Sequence, residues 1–570
     1  MCGIFSVFNN SYDKTLIEKS FKLGKSRGPE HSNIIYPPNS NVVMGFHRLS
    51  INGWDPIDTD DSIIQSTQPF FIDGCYLICN GEIYNWQYLI SKLNIQLNTK
   101  SDCEIIIHLY KKFGIKNTLQ LLDGVFAFIL YDTKNYKMFV ARDQFGLRPL
   151  YYSIQNKGGV FKTYIFASLM KQISNMNDSA NINQFEPGTY SEYYVISNVI
   201  SPKFENKYFV TIPNTINNYV VEIEILNNIY LSLEDSVKKR INNTDRPITC
   251  LLSGGLDSSI ITALVKKNYK GELHTWSIGL EGSEDLKYAE LVANHLKTKH
   301  HSIVVTEKEF LNAIPQVIYD IESYDTTTVR ASVGNWMIAK YIKENSNCKV
   351  VFNGDGSDEV TGGYLYFHKS PNEILFDFEC KRLLKDIHYF DVLRSDRSIS
   401  CHGLEARTPF LDKSFVNTYL NIPVNKRFHN LDNNPEKYLL RKSFDRSNFL
   451  PREVLWRTKE AFSDGVSTQS NSWHTIIQTH IENVIYKNKK IDFNKYKNKP
   501  NPPTTPEQYY YREIFESHFN NQGSVIPYFW MPKFIECKDA SARELKIYNN
   551  LKDKSSTNNT YNDSMGIYGC

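Results

Sequence analysis

Near residue 200 the hydrophobic pattern of this chain changes period, and that change limits what it can fold into. Up to about Val199 the apolar runs are short and rich in β-branched and aromatic side chains: 3–8, 41–49, 76–79, 125–131, 137–141 and 164–167. Turn formers punctuate them, among them Gly53, Asp73-Gly74, Gly146 and Pro187-Gly188, as expected of antiparallel sheets. Two helical windows interrupt, 13–23 and 101–113, the second with Ile105, Ile106, Leu109 and Phe113 on one face. Strands covered by a few helices predict a sandwich of α and β layers. Further on, the order becomes strand, helix, strand, helix: 248–252, 258–267, 273–278, 286–296 and 302–305, with another strand at 349–352. Such alternation builds a doubly wound parallel sheet, whose ligands sit beyond the carboxyl ends of the strands.

With 570 residues, and roughly 150 per domain, one compact core is excluded. The expected division is a first domain over 1–200, a polar connector over 201–218, and a second domain over 219–548 with a mostly helical C-terminal part. A polar tail over 549–570 is expected to be disordered. The 65 basic and 62 acidic side chains leave a net charge of only +3, so neither nucleic acid nor a membrane surface is an expected partner. No apolar stretch reaches the roughly 18 residues that cross a bilayer. Residues 1–6 carry no basic segment followed by an apolar one, as a secretion signal would. Ten cysteines without paired spacing fit a reducing cytoplasm.

Cys2 becomes the first residue if Met1 is removed, which a small second residue permits. An N-terminal cysteine carries its own base, because an α-amino group titrates at about 7.7–8.0 and can take the thiol proton. Alone that is weak, but the segments that follow are specific: Ser26-Arg27-Gly28-Pro29, Arg48-Leu49-Ser50-Ile51, Asn80-Gly81-Glu82-Ile83-Tyr84-Asn85 and Ser101-Asp102-Cys103-Glu104. This set resembles the class II, N-terminal-nucleophile glutamine amidotransferases across the whole first domain. The resemblance implies a four-layer α+β sandwich with Cys2 as nucleophile, and Asn80 with the Gly81 backbone N–H as oxyanion donors. It also implies a glutamine pocket of Arg48, Leu49, Ser50, Ile51, Asn52, Asn80, Gly81, Glu82 and Asp102. Arg48 would clamp the α-carboxylate of glutamine, and Glu82 and Asp102 would accept its α-ammonium. Read without the resemblance, Asn80-Gly81 is a hairpin turn, Arg48 a surface charge and Asp102 a helix N-cap.

In the second domain the run Leu252-Ser253-Gly254-Gly255-Leu256-Asp257-Ser258-Ser259 follows a strand and opens a helix. A glycine-rich turn there lets several backbone N–H groups converge on an anion. It lacks the lysine of a Walker A loop and is similar to the PP-loop of ATP pyrophosphatases. Asp257 needs a cation to sit beside phosphates, which points to Mg²⁺. A second acidic loop, Asn353-Gly354-Asp355-Gly356-Ser357-Asp358-Glu359, follows another strand. The segments 324–332, 403–412 and 456–465 extend the likeness. Together with the first domain, the chain resembles the glutamine-hydrolysing asparagine synthetases from Cys2 to about Tyr548.

That resemblance implies ATP, aspartate and glutamine as substrates, a β-aspartyl-AMP intermediate, Mg²⁺ held by Asp257 and Asp358, and homodimers. It puts Leu252, Ile278, Asn353 and Gly354 beside the nucleoside, Thr327 and Arg330 on aspartate or the adenylate, and Lys459 on the phosphates. Without it, Lys459 is a helix-surface charge and 353–359 a solvated turn. Asp355 stands where the family usually has Glu. It keeps the carboxylate but is one methylene shorter, and is expected still to serve as base. Residues 51–53 also depart from the commoner Val-Asp. Two other readings remain open from the residues: an amidotransferase that adenylates a different carboxylate, and a non-enzymatic glutamine or nucleotide sensor.

Overall fold

The computed structural model describes residues 1–57, 66–156, 162–176, 181–196, 199–208, 221–430, 433–460, 462–468, 470–541 and 543. Its first part is built on two six-stranded antiparallel sheets. One takes the order Asn183–Gln184, Tyr151–Gln155, Thr163–Ala167, Gly3–Phe8, Val42–Arg48, His31–Ile35. The other runs Val199–Lys207, Thr189–Ile196, Lys137–Arg142, Gly124–Asp132, Cys75–Ile83, Phe70–Ile72.

Strand alternation makes four layers of them. Ile4 and Phe8 face the second sheet and pack with Ile78, Ala127 and Ile129. Phe5 and Val7, on the opposite face, meet Ile17, Phe21, Met170 and Ile173 of the helices Lys14–Lys22 and Met170–Ser174. In the second sheet Leu77, Cys79, Phe126 and Phe128 face outward onto the helices Trp86–Leu93 and Ile105–Leu121. Period-two side-chain alternation thus serves two cores at once. The expected sandwich is observed, and the six strand windows read from the sequence are all strands.

Val199–Lys207 pairs along its length with Thr189–Ile196, so the start of the expected 201–218 connector is an edge strand. The rest of that connector from 209, and the tail over 549–570, lie outside the described residues.

A five-stranded parallel sheet forms the second domain, ordered Lys299–Val305, His274–Leu280, Ile248–Leu251, Val350–Phe352, Glu405–Arg407. Helices cover both faces. Ile248, Cys250, Val350 and Phe352 pack with the helices Glu222–Ile241 and Leu256–Asn268. Trp276, Ile278 and Val351 pack with Glu307–Ile321 and Thr326–Asn345. Chain order reverses between Ile248–Leu251 and Val350–Phe352, and such a switch point opens a crevice beyond the strand ends. Both loops singled out in the sequence, 252–259 and 353–359, leave from these two strands. Among the described residues no helix is long and apolar enough to cross a membrane.

Candidate active sites

Cys2 precedes the strand Gly3–Phe8, whose neighbour Val42–Arg48 delivers Arg48. The Cys2 thiol donates to the Leu49 carbonyl at 3.7 Å. Burial pushes it up to about 11, against the pull of the terminal ammonium and of Arg48. A thiol so placed is protonated at neutral pH and needs a base. With Met1 in place, the α-amino group belongs to Met1, which is buried, and its ammonium lies 3.4 Å from Glu405 Oε2. Removal of Met1 transfers that function to Cys2 itself.

Asn80 is buried, and neither its amide nitrogen nor its oxygen has a hydrogen-bond partner. An unsatisfied buried amide costs about 1–3 kcal/mol, so it calls for a ligand. Asn80-Gly81 is not a hairpin turn: both lie inside Cys75–Ile83, where Asn80 pairs with Ala127 and Gly81 with Phe126. Nor does Asp102 cap a helix, because its Oδ2 accepts from the Ile83 N–H at 2.6 Å.

Glu82 Oε2 takes Asn52 Nδ2 at 2.9 Å and Arg407 Nη2 at 3.2 Å. Among the described residues no protein donor falls on Glu82 Oε1 or Asp102 Oδ1. Burial, and then the charges of Glu405 and Asp102, push the Glu82 carboxyl well above its usual range, against Arg407. Burial raises Asp102 as well. Two raised, buried carboxylates with an oxygen each to spare suit a cationic ligand. Arg48 is buried beside them, its Nη2 on the Asn52 carbonyl at 3.1 Å. Leu49, Ser50 and Ile51 are buried in the bend that follows, and the Ser50 N–H donates to Glu30 Oε2. The structure therefore gathers Cys2, Arg48 to Asn52, Glu82 and Asp102 around one buried centre.

The second centre is a cavity of about 210 Å³ at the switch point. Leu252, Ser253, Gly255, Leu256, Asp257 and Ser258 line it from one loop, and Asn353, Gly354, Asp355 and Asp358 from the other. Ile278, Thr327 and Lys459 line it too. Gly254 and Ser259 stand behind the wall. Gly254 has φ +71°, and a Cβ there would lie 2.4 Å from Tyr288, so only glycine makes this turn. Ser253 and Ser258 bridge the loop with an Oγ···Oγ contact of 3.0 Å.

Arg330 departs from its expected place. Its guanidinium is buried and held at 2.6–2.8 Å by both oxygens of Glu507 and at 2.7 Å by both of Asp539, and it is not part of the cavity wall. In this structure its donors go to these two carboxylates. Thr327 does face the cavity, with its hydroxyl buried and unpaired. Asp355 pairs with Arg394 at 2.9 Å through Oδ1, while its Oδ2 is buried without a partner.

Lys437 was not singled out in the sequence. Its ammonium lies 2.6 Å from Asp257 Oδ2 and 2.6 Å from Asp358 Oδ1, between the two carboxylates assigned to Mg²⁺. Lys459 Nζ holds the other oxygen of Asp358 and stands 3.8 Å from Asp257. Burial acts to raise the Asp358 carboxyl, but Lys437 and Lys459 outweigh it and hold it well below the usual carboxylate range. Gly363 makes the room, since a Cβ there would lie 1.9 Å from Lys437 Cε. The only local signal was Lys437 itself, ahead of a short helix, and its partners are far away in sequence. Two converging carboxylates without a third ligand among the described residues fit Mg²⁺, which is commonly held by one or two carboxylates plus substrate phosphates.

An amidotransferase-type sandwich joined to a nucleotide-type parallel sheet, each with its own centre, defines a two-site ATP-dependent ligase. The glutamine amidotransferase domain family matches residues 1–218, and the asparagine synthase family matches 228–378 and 375–533. The glutamine-hydrolysing asparagine synthetase of Gallus gallus is 39% identical over 574 residues, covering 96% of this chain and 99% of that protein. Its Homo sapiens counterpart is 39% identical over 568 residues with the same coverage. The chain belongs to the glutamine-hydrolysing asparagine synthetases.

Proposed function

We propose that this enzyme makes asparagine from aspartate, glutamine and ATP, releasing glutamate, AMP and pyrophosphate. The reading rests above all on Asp257 and Asp358 converging on two ammonium groups at the end of a parallel sheet, in a chain whose first domain also holds Cys2 and an unpaired Asn80 amide.

At the first site the freed α-amine of Cys2 takes the thiol proton, and the thiolate attacks the glutamine amide carbon. The oxyanion is met by Asn80 Nδ2 and the Gly81 N–H. Ammonia leaves with the proton, and water releases glutamate from the thioester. Arg48 holds the α-carboxylate, and Glu82 and Asp102 hold the α-ammonium.

At the second site the aspartate β-carboxylate attacks the α-phosphorus of ATP and pyrophosphate departs. Ammonia then attacks the acyl carbon and AMP leaves. Bound Mg²⁺, held by Asp257 and Asp358, supplies charge neutralisation on the phosphates. Lys459 and Lys437 carry two further positive charges to the same place, and loop 252–259 offers its N–H groups. Asp355 Oδ2, unpartnered and at the cavity, takes the proton lost by ammonia, with Thr327 beside the reacting acid. An Asp355→Asn variant should then be inert as a synthetase; full activity would refute this role.

We assign the first domain to residues 1–208 and place the enzyme in the cytoplasm, supported by nine unpaired cysteines among the described residues. Sedimentation tests the expected homodimer. Incubation with glutamine, aspartate and Mg-ATP should give asparagine, AMP and pyrophosphate in equal amounts. ADP and phosphate in their place would overturn the mechanism.

A further inference from the structure

Two polar side chains that touch Glu82 come from the parallel-sheet domain, Arg407 and Asn243. The loop between helix Glu222–Ile241 and strand Ile248–Leu251 belongs to the parallel-sheet domain, yet it reaches into the first. Asp245 Oδ2 accepts from the Gly53 N–H at 2.7 Å, and Arg246 Nε donates to the Ser50 carbonyl at 2.7 Å. Between helix and Asp245, Asn243 is buried, 3% exposed. Its Nδ2 lies 2.7 Å from Glu82 Oε2 and 3.4 Å from Asp102 Oδ2.

The orientation of that amide is not free. Trp86 Nε1 lies 2.9 Å from Asn243 Oδ1, and an indole N–H can only donate. The oxygen must therefore face the indole, which leaves the NH₂ group for the two carboxylates. Arg407 Nη2 adds to the arrangement, donating at 2.9 Å to the Asn243 carbonyl and at 3.2 Å to Glu82 Oε2. Glu82 Oε2 thus receives three donors, from Asn52, Asn243 and Arg407. Asp102 Oδ2 receives two, from Ile83 and Asn243. One oxygen of each carboxylate is pinned and the other left over.

We propose that Asn243 is a positioning residue for glutamine: supplied by the synthetase domain, it bridges Glu82 and Asp102 and presents their remaining oxygens to the α-ammonium of the substrate. The proposal rests on the reading of that pair as the ammonium acceptors. Two buried carboxylates sharing one donor repel each other once it is removed, so the pocket would splay or take up a proton. Hydrogen bonds to charged groups are worth enough for a ten- to hundredfold change in binding. The chemistry at Cys2 is not touched by Asn243, so the turnover of bound glutamine should be nearly untouched.

The test is the Asn243→Ala variant of the full chain, assayed three ways: glutaminase KM and kcat, glutamine binding by calorimetry in a Cys2→Ala background, and ammonia-dependent asparagine synthesis. We expect KM and Kd for glutamine to rise ten- to hundredfold, with glutaminase kcat within threefold and ammonia-dependent synthesis unchanged. An unchanged KM, or a parallel loss of ammonia-dependent synthesis, would overturn the proposal, the second by showing a merely structural role. An Asp102→Asn variant run alongside separates the two levels. If it raises the glutamine KM and Asn243→Ala does not, only the role of Asn243 falls. If Asp102→Asn leaves the KM unchanged, the acceptor reading fails and the proposal with it.

Discussion

Lys437 is the cation that the structure puts where the sequence called for a metal, and replacing it by methionine isolates what it does. The change keeps side-chain length and removes one charge. It breaks two contacts of 2.6 Å, to Asp257 and Asp358, and a third of 3.3 Å to Ser357 Oγ. Removing one partner of a buried ion pair costs about 3–5 kcal/mol, because a charge is left uncompensated. Lys459 still holds Asp358 Oδ2, which argues for the lower end. At an m-value of about 3 kcal/mol/M, a loss of about 3 kcal/mol lowers the urea midpoint by about 1 M.

Acid sensitivity should change as well. Asp358 titrates below its usual range in the folded enzyme. Its contribution is therefore present above the unfolded carboxyl pKa of about 4 and lost as pH falls toward the folded value. Without Lys437 the folded value rises toward the unfolded one, so the contribution shrinks and its loss is complete at a higher pH. The assay is urea unfolding of the nucleotide-free enzyme by tryptophan fluorescence at pH 7 and about pH 4, with and without Mg²⁺. In Lys437→Met, Mg²⁺ should restore much of the midpoint, whereas the parent should respond little. A midpoint equal to the parent's without metal, or the same Mg²⁺ response in both proteins, would refute the idea that this ammonium balances the carboxylate pair.

Three other outcomes are expected. Asn80→Ala should lower glutaminase kcat by about 10²–10³, the equivalent of about 2.7–4 kcal/mol for a lost oxyanion donor, with ammonia-dependent synthesis intact. Protein that retains Met1, verified by intact mass, should lack glutaminase activity but still use ammonia, since its thiol, raised to about 11, has no amine of its own. Arg330→Ala should destabilise the second domain by about 3–5 kcal/mol in denaturant titration, as Glu507 and Asp539 lose their shared partner. A selective rise in the KM for aspartate, with stability unchanged, would instead restore Arg330 to the substrate.

Much of the architecture was legible because it is local. Period-two runs such as 3–8 and 125–131 are strands whichever partner they find, and 252–259 turns as it does because Gly254 can take a positive φ. Among the strands that went unread, His31–Ile35, Phe70–Ile72, Tyr151–Gln155 and Val199–Lys207 are short, polar or interrupted by proline, and sheet neighbours hold them in place. The same distinction runs through the sites. Cys2, Asn80 and Asp257 are singled out by the residues beside them in the chain. The surroundings of Arg330 were not legible, because a motif names a residue type and not the two carboxylates, Glu507 and Asp539, that meet it.

What the order of residues determined unaided was the succession of a β-rich sandwich and a parallel sheet, with a thiol centre in one and a phosphate loop in the other. Periodicity and turn chemistry act over a few neighbouring positions. Tertiary structure decided which charges neutralise which. Lys437 meets Asp257 from 180 positions away, and Asn243 meets Glu82 from 161. Such pairs are chosen by which side chains the packed sheets bring within 3 Å, where low dielectric makes every unbalanced charge costly.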